Sequence, residues 1–379
     1  MDPWIHEQAR LIAARAEREL EALVGVSSPS GDVAGAQEAL AVVAALLPDE
    51  AAVERVPCST PDHADDLIAR IRGTGKGRLL LLGHVDTVVA HADHRPLERD
   101  PDHPDLLYGS GTIDMKGGDV LALGVLRALA ERPGDYEEVA LLLVCDEEWR
   151  VGPFAHVERF AGWDACLCFE AGELAPDGSD AVVVKRKAAG TVEVHAAGRS
   201  AHSGAAPDRG ANALLALAVA AQAIARCHDP DGPDHLTAVP TVIASGDAFN
   251  VVPATGRLIA DVRADSERAF ERVLSAIPEE FGGARLDVRL VREWPGMDTR
   301  QATAPLLERA GELLGRPVRP ATRGGASDAS HFASAIPLTL DGLGPLGGGA
   351  HAPNEHVRAS SIRSRAEVAL AIALSALAL

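Results

Sequence analysis

Two short runs of aliphatic residues stand out in the first half of the chain, and each ends abruptly in polar side chains. Leu141–Val144 leads into Cys145–Glu148, and Leu79–Leu82 leads into Gly83–Asp86. Apolar runs of this length, rich in branched residues, are typical of strands buried on both faces of a parallel sheet. Ligands bind beyond the carboxyl ends of such strands. The polar residues after each run are therefore candidate functional residues.

Three more polar groups follow the same pattern elsewhere in the chain. Glu170 ends a third apolar run, and His351 comes shortly after the strand predicted at residues 336–340. Asp114 lies in a glycine-punctuated loop directly before the helix predicted at residues 119–131. Because parallel strands bring their carboxyl ends to one edge of a sheet, we expect these side chains to approach each other.

Helical periodicity marks much of the remaining sequence around these strands. The segments concerned are residues 5–23, 32–47, 303–314 and 360–379. Apolar residues recur there every three or four positions, which predicts helices with one buried face. We therefore expect an α/β fold with a mixed, largely parallel sheet and covering helices.

The hydrophobic pattern changes to alternation near residue 182 and changes back near residue 291. A strand is predicted around Val192 and Val194, and the elements after it are predicted at residues 212–227, 237–245, 256–264, 266–281 and 285–291. Their order is strand, helix, strand, strand, helix and strand, which is the ferredoxin-like α+β pattern. Residues 182–291 are thus predicted to be a domain inserted into a larger one, formed by residues 1–181 and 292–379.

Charge and composition exclude several classes of function. The chain has 379 residues, with 36 Lys and Arg against 55 Asp and Glu, a net charge of −19. This balance disfavours nucleic acid as a partner. No stretch approaches about 20 uninterrupted apolar residues, and the start of the chain lacks a leader pattern, so we expect a cytoplasmic protein without a membrane partner. The five cysteines are expected to be reduced, because their number is odd and several lie in apolar strand patterns.

The polar groups at the predicted sheet edge have a simple joint explanation in bound metal. Taken singly, such a carboxylate is more often a helix cap or a solvated turn residue, and a lone histidine is more often structural. Two histidines and at least four acids at one edge would repel or shift each other's pKa values unless cations were bound. Imidazole and carboxylate are ordinary zinc ligands, and two ions can share one bridging carboxylate, which leaves one glutamate as a general base.

The motifs that carry these residues resemble, together and in this order, the M20 family of zinc peptidases and amidohydrolases, in particular its glutamate carboxypeptidase group. They are Gly-His84-Val-Asp86-Thr, Gly-Thr-Ile-Asp114-Met-Lys-Gly-Gly, Asp-Glu147-Glu148, Phe-Glu170 and Gly-Gly-Ala-His351. The resemblance spans nearly the whole chain. It implies a zinc exopeptidase-like catalytic domain and an inserted lid and dimerisation domain.

The resemblance also implies a role for each residue of these motifs. His84, Asp114 and Glu170 would hold one Zn²⁺, and Asp114, Glu148 and His351 would hold the second, with Co²⁺ or Mn²⁺ as alternative metals. Glu147 would be the general base, and Asp86 would orient the His84 ring. Glutamate at position 170 favours carboxypeptidase or deacylase chemistry within the family.

In the inserted domain, the motif Ser-Ala-His202-Ser-Gly resembles a family motif whose histidine reaches the partner subunit's active site and polarises the scissile carbonyl. A homodimer is therefore expected. Asn250 and Arg263 match substrate-contacting positions, and the loop with Gly324 and Gly325 is a further candidate substrate contact. The planar guanidinium of Arg263 suits a carboxylate, although a strand arginine in a surface ion pair is the simpler interpretation.

The sequence departs from the family pattern at two places that bear on the substrate. Trp149-Arg150-Val-Gly follows Glu148 where the family usually has a small Gly-Ser turn, and Trp294 stands where a basic residue is expected. The resemblance therefore does not carry a preference for glutamate. We expect a two-zinc carboxypeptidase-type hydrolase that acts on small peptides. The alternatives are an N-acyl-amino-acid deacylase and, more remotely, a catalytically silent metal- or ligand-binding protein.

Overall fold

A computed structural model describes residues 2–378; Met1 and Leu379, which the predicted larger domain and its last helix included, lie outside the described residues. The chain forms two compact units. The first comprises the described residues up to Lys185, Asp298–Arg323 and the described residues from Ser327 onward. The second comprises Arg186–Met297 and Gly324–Ala326. Each unit has its own hydrophobic core.

The first unit is built on a six-stranded sheet. Across the sheet the strands are Ala52–Val56, Asp66–Arg72, Glu138–Val144, Arg78–His84, Ala165–Cys168 and Leu338–Leu340. The first two pairings are antiparallel and the remaining three are parallel. The predicted mixed, largely parallel α/β architecture is confirmed, and the parallel strands end at the edge where the sequence predicted ligands.

Helices pack on this sheet through apolar faces. The long helices of the first unit are Pro3–Val24, Val33–Leu46, Gly117–Ala130, Arg300–Leu314 and Ala359–Leu377. In the first of them Ile5, Ala9, Ile12, Ala16 and Leu20 are buried, a spacing of three or four residues that puts them on one face. Burying each leucine or isoleucine contributes roughly 1.5–3 kcal/mol. Within residues 2–378, no helix combines the length and the apolar character that crossing a membrane requires.

Short elements connect the sheet and helices of this unit. They are the strands Glu98–Arg99, Leu106–Tyr108, Glu173–Leu174, Val318–Arg323, Gly347–Gly348 and His356–Arg358, the helical turns His91–Asp93, Thr112–Lys116 and Val157–Phe160, and the helix Ala329–Phe332. Two further strands, Asp180–Arg186 and Met297–Asp298, contain the points where the chain leaves and re-enters the first unit. Loops and single turns therefore follow the polar ends of the main strands, and their irregular backbone can orient each side chain separately.

The second unit has the element order that the alternation pattern predicted. Its sheet contains, from edge to edge, the strands Thr237–Ser245, Thr255–Ala264, Ala188–Ala197, Ala284–Trp294 and Glu280–Phe281. All four pairings are antiparallel. The helix Ala213–Arg226, the helix Phe270–Ala276 and the single turns Pro207–Arg209 and Glu267–Ala269 complete the unit. This is the ferredoxin-like arrangement of strand, helix, two strands, helix and strand.

One predicted helix in this unit is wrong in length. The sequence pattern predicted a helix over residues 266–281, whereas the helix spans only Phe270–Ala276 and a short strand follows at Glu280–Phe281. Ile277 has an extended conformation, with φ −81° and ψ 125°. The residue before a proline is disfavoured in the helical region, and Pro278 follows Ile277. The proline therefore ends the helix one turn earlier than the apolar pattern suggests.

Candidate metal centre

His84 is the last residue of a central strand, and its ring is oriented by the backbone two residues later. The side chain is 1% exposed, and Nδ1 lies 3.0 Å from the backbone oxygen of Asp86. Because a carbonyl only accepts hydrogen bonds, Nδ1 must carry the proton of this contact. Nε2 then points to two carboxylates, at 3.3 Å from Asp114 and 3.7 Å from Glu170.

His351 lies on the other side of Asp114. Its Nε2 is 3.0 Å from Oδ2 of Asp114 and 3.3 Å from Oε2 of Glu148, whereas His84 faces Oδ1 of the same aspartate. Asp114 therefore presents one carboxylate oxygen to each histidine. Ligand atoms of His84, Asp114 and Glu148 all lie within 4.8 Å of one another, close enough to hold a metal ion. The structure thus brings the five predicted metal ligands together.

The charge balance of this cluster depends on the protons of its histidines. Burial lowers the pKa of His84, but contacts with Asp114 and Asp86 raise it well above the ordinary value. Contact with Asp114, and then with Glu148, raises the pKa of His351 to about 10. Burial raises the pKa of Asp114, yet the two histidines outweigh that effect and hold it below its usual range. Without metal, protons on the histidines therefore supply the positive charge.

A metal ion fits two buried atoms of this cluster that lie near other polar groups without forming a hydrogen bond to any described residue. Nε2 of His84 and Oε1 of Glu148 are buried, and neither makes a hydrogen bond of acceptable geometry within residues 2–378. A buried polar atom without a partner is costly, and a cation satisfies both kinds of atom at once. The donor set of imidazoles and carboxylates suits zinc, which would displace the histidine protons on binding.

Glu147 precedes the ligand Glu148 and lies in a different environment. It is 9% exposed, and burial raises the pKa of its carboxyl well above the ordinary value. Its backbone N–H donates to Oδ1 of Asp86 at 3.2 Å, and that of Glu148 donates to Oδ2 of Asp86 at 3.2 Å. Asp86 therefore holds the turn that carries both glutamates, in addition to its contact with His84.

Glu355 is a residue at this site that the sequence analysis missed. It is 5% exposed, and its carboxylate accepts hydrogen bonds from the backbone N–H groups of Gly111 at 2.8 Å, Ile113 at 2.9 Å and Asp114 at 3.1 Å. These bonds shape the turn that presents Asp114. The only signal in the sequence is its position four residues after His351.

The contacts of Glu355 predict the effect of an isosteric change. In Glu355→Gln an amide N–H₂ group must face backbone donors, so we expect a loss of about 1–3 kcal/mol in the free energy of unfolding. Zinc affinity should also fall, by roughly 10–100-fold, since Asp114 is no longer held in place. Urea unfolding and zinc titration measure the two effects. The exposed Glu98→Gln is the matched control, and equal effects of both substitutions would contradict the assigned role.

Asp119 is a second buried acid, located behind the strand that ends in His84. It is fully buried, and neither carboxylate oxygen has a hydrogen-bond partner within the described chain, residues 2–378. A Cβ atom on Gly83 would lie 2.2 Å from its Oδ1, so only glycine fits beside this carboxyl group. Burial raises the pKa of Asp119 to about 8.

This raised pKa predicts a pH-dependent difference in stability. Between the ordinary carboxyl pKa near 4 and about 8, folded Asp119 keeps its proton while the unfolded chain has lost it, so stability falls as pH rises. Asparagine does not titrate. In chelator-treated protein, we expect the melting temperature of Asp119→Asn to gain on that of the parent chain from pH 4 to pH 8. A difference that is constant with pH would contradict a protonated Asp119.

The predicted residues of the second unit are described here by their own contacts. His202 is exposed, and its Nδ1 accepts hydrogen bonds from the backbone N–H groups of Gly204 and Ala205 at 3.2 and 3.1 Å. The backbone oxygen of Asn250, which is also exposed, accepts from the N–H of Ser203 at 3.0 Å. The structure therefore brings the segments with His202 and Asn250 together.

Arg263 and the glycine loop are also neighbours within this unit. The guanidinium of Arg263 donates to Asp261 at 3.0 Å and to the backbone oxygen of Gly324 at 3.2 Å. The oxygen of Gly325 accepts from Arg186 at 2.8 Å. Trp294, which stands where a basic residue was expected, is fully buried. Arg263 thus makes the ion pair of the simpler interpretation while lying beside the predicted substrate loop.

A cavity of about 500 Å³ opens beside His351 in the first unit. Its wall includes Val88, Val89, Arg95 and Pro353. The space is adjacent to the candidate metal centre and mixes apolar and charged side chains. It is large enough for part of a small substrate next to the metal ligands.

Comparisons with known proteins agree with this geometry. The family model described as Peptidase family M20/M25/M40 matches residues 80–375. The chain is 28% identical over 373 residues to Carboxypeptidase G2 of Pseudomonas sp. (strain RS-16), covering 92% of this chain and 86% of that protein. It is 28% identical over 335 residues to a succinyl-diaminopimelate desuccinylase of Stutzerimonas stutzeri, covering 80% and 84%.

Solved structures show the same fold. Aminopeptidase PepT from Bacillus cereus superposes with a TM-score of 0.76 at 21% identity, covering 97% of this chain and 99% of that one. The M20 family metallo-carboxypeptidase Sso-CP2 from Sulfolobus solfataricus superposes with a TM-score of 0.72 at 16% identity, covering 96% and 99%. At these identities the likeness concerns the fold alone.

Proposed function

The chain belongs to peptidase family M20/M25/M40 and is therefore a hydrolase of the metallopeptidase and amidohydrolase type, and from this premise we propose that it uses two zinc ions to cleave an amide bond beside a free α-carboxylate. One observation carries the proposal. Asp114 presents its two carboxylate oxygens to two different histidines, His84 and His351, at 3.3 and 3.0 Å. This is the arrangement that a carboxylate shared between two metal ions requires.

The proposed ligand sets follow from these contacts. His84, Asp114 and Glu170 would hold one ion, and Asp114, Glu148 and His351 would hold the other, with Co²⁺ or Mn²⁺ as alternatives to Zn²⁺. Zinc bound there supplies polarisation of the scissile carbonyl and a lowered pKa for the attacking water. Asp86 would fix the orientation of the His84 ring relative to the Glu147–Glu148 turn, because it contacts both.

Glu147 is proposed to move the proton. It is buried at the strand end beside the ligand Glu148, and burial raises its pKa, which makes its carboxylate a stronger proton acceptor. Glu147 would accept a proton from the water as its oxygen attacks the carbonyl carbon. It would then deliver that proton to the leaving amine nitrogen as the C–N bond breaks.

Residues of the second unit are proposed to bind the rest of the substrate. Arg263 would bind the free α-carboxylate through its planar guanidinium, after exchanging its contact with Asp261. His202 would polarise the carbonyl oxygen in the active site of a second copy of the chain, and Asn250 and the loop with Gly324 and Gly325 would contact the substrate. The exposure of His202 and Asn250 supports these roles.

The proposed homodimer has a suitable surface in the same unit. The strand Thr237–Ser245 lies at an edge of its sheet, and Val239, Val242 and Ile243 on it are exposed. An exposed apolar edge strand is a template for pairing with another chain. Light scattering during size-exclusion chromatography should give twice the chain mass. Full activity from a monomeric species would contradict the dimer.

A cytoplasmic location stays a prediction.

The substrate class can be decided by a direct screen. Protein stripped of metal and reloaded with zinc would be incubated with dipeptides and N-acyl amino acids, each paired with an analogue whose α-carboxylate is amidated. We expect zinc-dependent hydrolysis only of the free acids. Preference for N-acyl amino acids would establish the deacylase alternative, which the likeness to the desuccinylase favours. Zinc binding without hydrolysis of any compound would favour the alternative of a catalytically silent binding protein.

A further inference from the structure

Arg150 is a fully buried cation two residues after the ligand Glu148. Its side chain is 0% exposed, whereas the neighbouring Trp149 is 60% exposed. The turn reverses direction here, because the backbone N–H of Arg150 donates to the oxygen of Asp146 at 2.8 Å. Burying an arginine is costly unless its charge is paired and its donors are used. Its partners therefore indicate why it lies under the turn.

Two carboxylates from separate parts of the first unit pair with Arg150. Nε and Nη2 donate to Oδ1 of Asp146 at 3.0 and 2.6 Å. Nη1 donates to Oδ1 of Asp328 and Nη2 to its Oδ2, the latter at 3.1 Å. The guanidinium also lies 4.1 Å from the centre of the Phe154 ring. Arg150 thus joins the segment after the strand Glu138–Val144 to the start of the helix Ala329–Phe332.

The other side of this cluster fixes Asp146. Oδ2 of Asp146 accepts hydrogen bonds from the backbone N–H of Thr60 at 2.9 Å and from its hydroxyl at 2.6 Å. Asp146 is therefore held by Thr60 on one side and by Arg150 on the other. Since Glu147 and Glu148 follow directly, any movement of Asp146 is passed to both glutamates.

Asp328 matters because of where its charge acts. It is one of three carboxylates whose negative charge acts on Glu147, together with Glu148 and Glu170. It is 3% exposed, so water screens its charge only weakly. The guanidinium of Arg150 is the cation that the structure places on Asp328. Arg150 therefore both holds the turn and pairs with an acid whose charge acts on Glu147.

We propose that Arg150 is a positioning residue for Glu147. It holds Glu147 in place because it pairs with both Asp146 and Asp328. The inference rests on the proposed role of Glu147 as the base. It explains the departure from the family's small turn after Glu148. Trp149 lies on the solvent side of the turn, and the buried Arg150 holds the turn in place from the protein interior.

The test compares Arg150→Met with Arg150→Lys in the full-length, zinc-loaded chain. In Arg150→Met we expect kcat to fall about 100-fold with KM nearly unchanged, because a small displacement of the base lowers the chemical step without weakening binding. Lysine keeps the positive charge but lacks the planar fork with which arginine binds both carboxylates, so Arg150→Lys should recover part of kcat. The exposed Arg159→Met is the control and should behave like the parent chain.

Hydrogen exchange gives a reading that does not need activity. The amides of Glu147 and Glu148 donate to Asp86, and they should exchange faster in Arg150→Met than in the parent chain. Arg150→Met leaves the buried carboxylate of Asp328 without its arginine, which can make the single variant fold poorly. The double variant Arg150→Met, Asp328→Asn removes that negative charge as well. It should regain melting temperature but not kcat or amide protection, which separates positioning from general stability.

The outcomes distinguish this inference from the proposed function. Unchanged exchange at Glu147 and Glu148 in Arg150→Met, or an unchanged kcat in an active parent enzyme, would overturn the role of Arg150. A parent chain that hydrolyses no compound would refute the proposed function instead, and the exchange experiment would still decide whether Arg150 holds the turn.

Discussion

Replacing Glu147 with glutamine is expected to lower kcat by about 10²–10⁴-fold while leaving the metal in place. Glutamine has the same shape but cannot accept the proton of the attacking water, and general-base catalysis typically contributes about 10²–10⁴-fold to the rate. The side chain is not among the proposed ligands, so zinc content should stay at the parental value. The measurements are kcat on the best substrate of the screen and zinc per chain by elemental analysis.

A matched control separates this effect from a general change in charge. Glu158 follows Glu147 in the same part of the sequence and is exposed to solvent. Glu158→Gln should therefore retain full activity. Near-normal turnover of Glu147→Gln with zinc bound would show that another group moves the proton. Loss of zinc in this variant would instead make Glu147 a ligand and would require a different base.

Replacing Asp114 with asparagine is expected to affect both metal sites at once. Its two oxygens face His84 and His351, so the amide removes the negative charge that the two ions would share and turns one oxygen into a donor. Activity should be lost together with high-affinity zinc. The stabilisation by zinc should also disappear, which for free metal at 1,000 times its dissociation constant amounts to about 4 kcal/mol.

Calorimetric zinc titration and thermal unfolding with and without chelator measure this second effect. The parent chain should bind two ions and lose melting temperature when chelator is added, whereas Asp114→Asn should melt at the same temperature in both conditions. Asp102→Asn, at an exposed position in the loop before the site, is the control. Retention of two tightly bound ions by Asp114→Asn would exclude a shared carboxylate.

The main strands and the polar residues at their ends could be predicted because both depend on local sequence. An aliphatic run followed by a histidine or an acid defines the strand, its burial and the edge of the sheet that it reaches. The aliphatic runs Leu79–Leu82 and Leu141–Val144 lie within the strands Arg78–His84 and Glu138–Val144. A helix pattern was misleading only where Pro278 overrode it.

Long-range partners could not be predicted in this way. Glu355 reaches the backbone of Asp114 across more than 240 positions, and Arg150 reaches Asp328 across 178. Neither contact leaves a periodic signal, because both acids lie in loops whose paths are set by the tertiary fold. The position of Asp146 likewise depends on distant contacts, because Arg150 and Thr60 donate to its two carboxylate oxygens.

The buried thiols noted in the sequence have a practical consequence. Cys145 and Cys166 are buried, and burial raises the pKa of each well above the ordinary value, as it also does for the half-buried Cys58. Only the thiolate reacts with alkylating agents, so these side chains are protected while the chain is folded. The rate at which iodoacetamide labels Cys145 and Cys166 therefore reports how often the larger unit opens, and it compares the variants described above without an enzymatic assay.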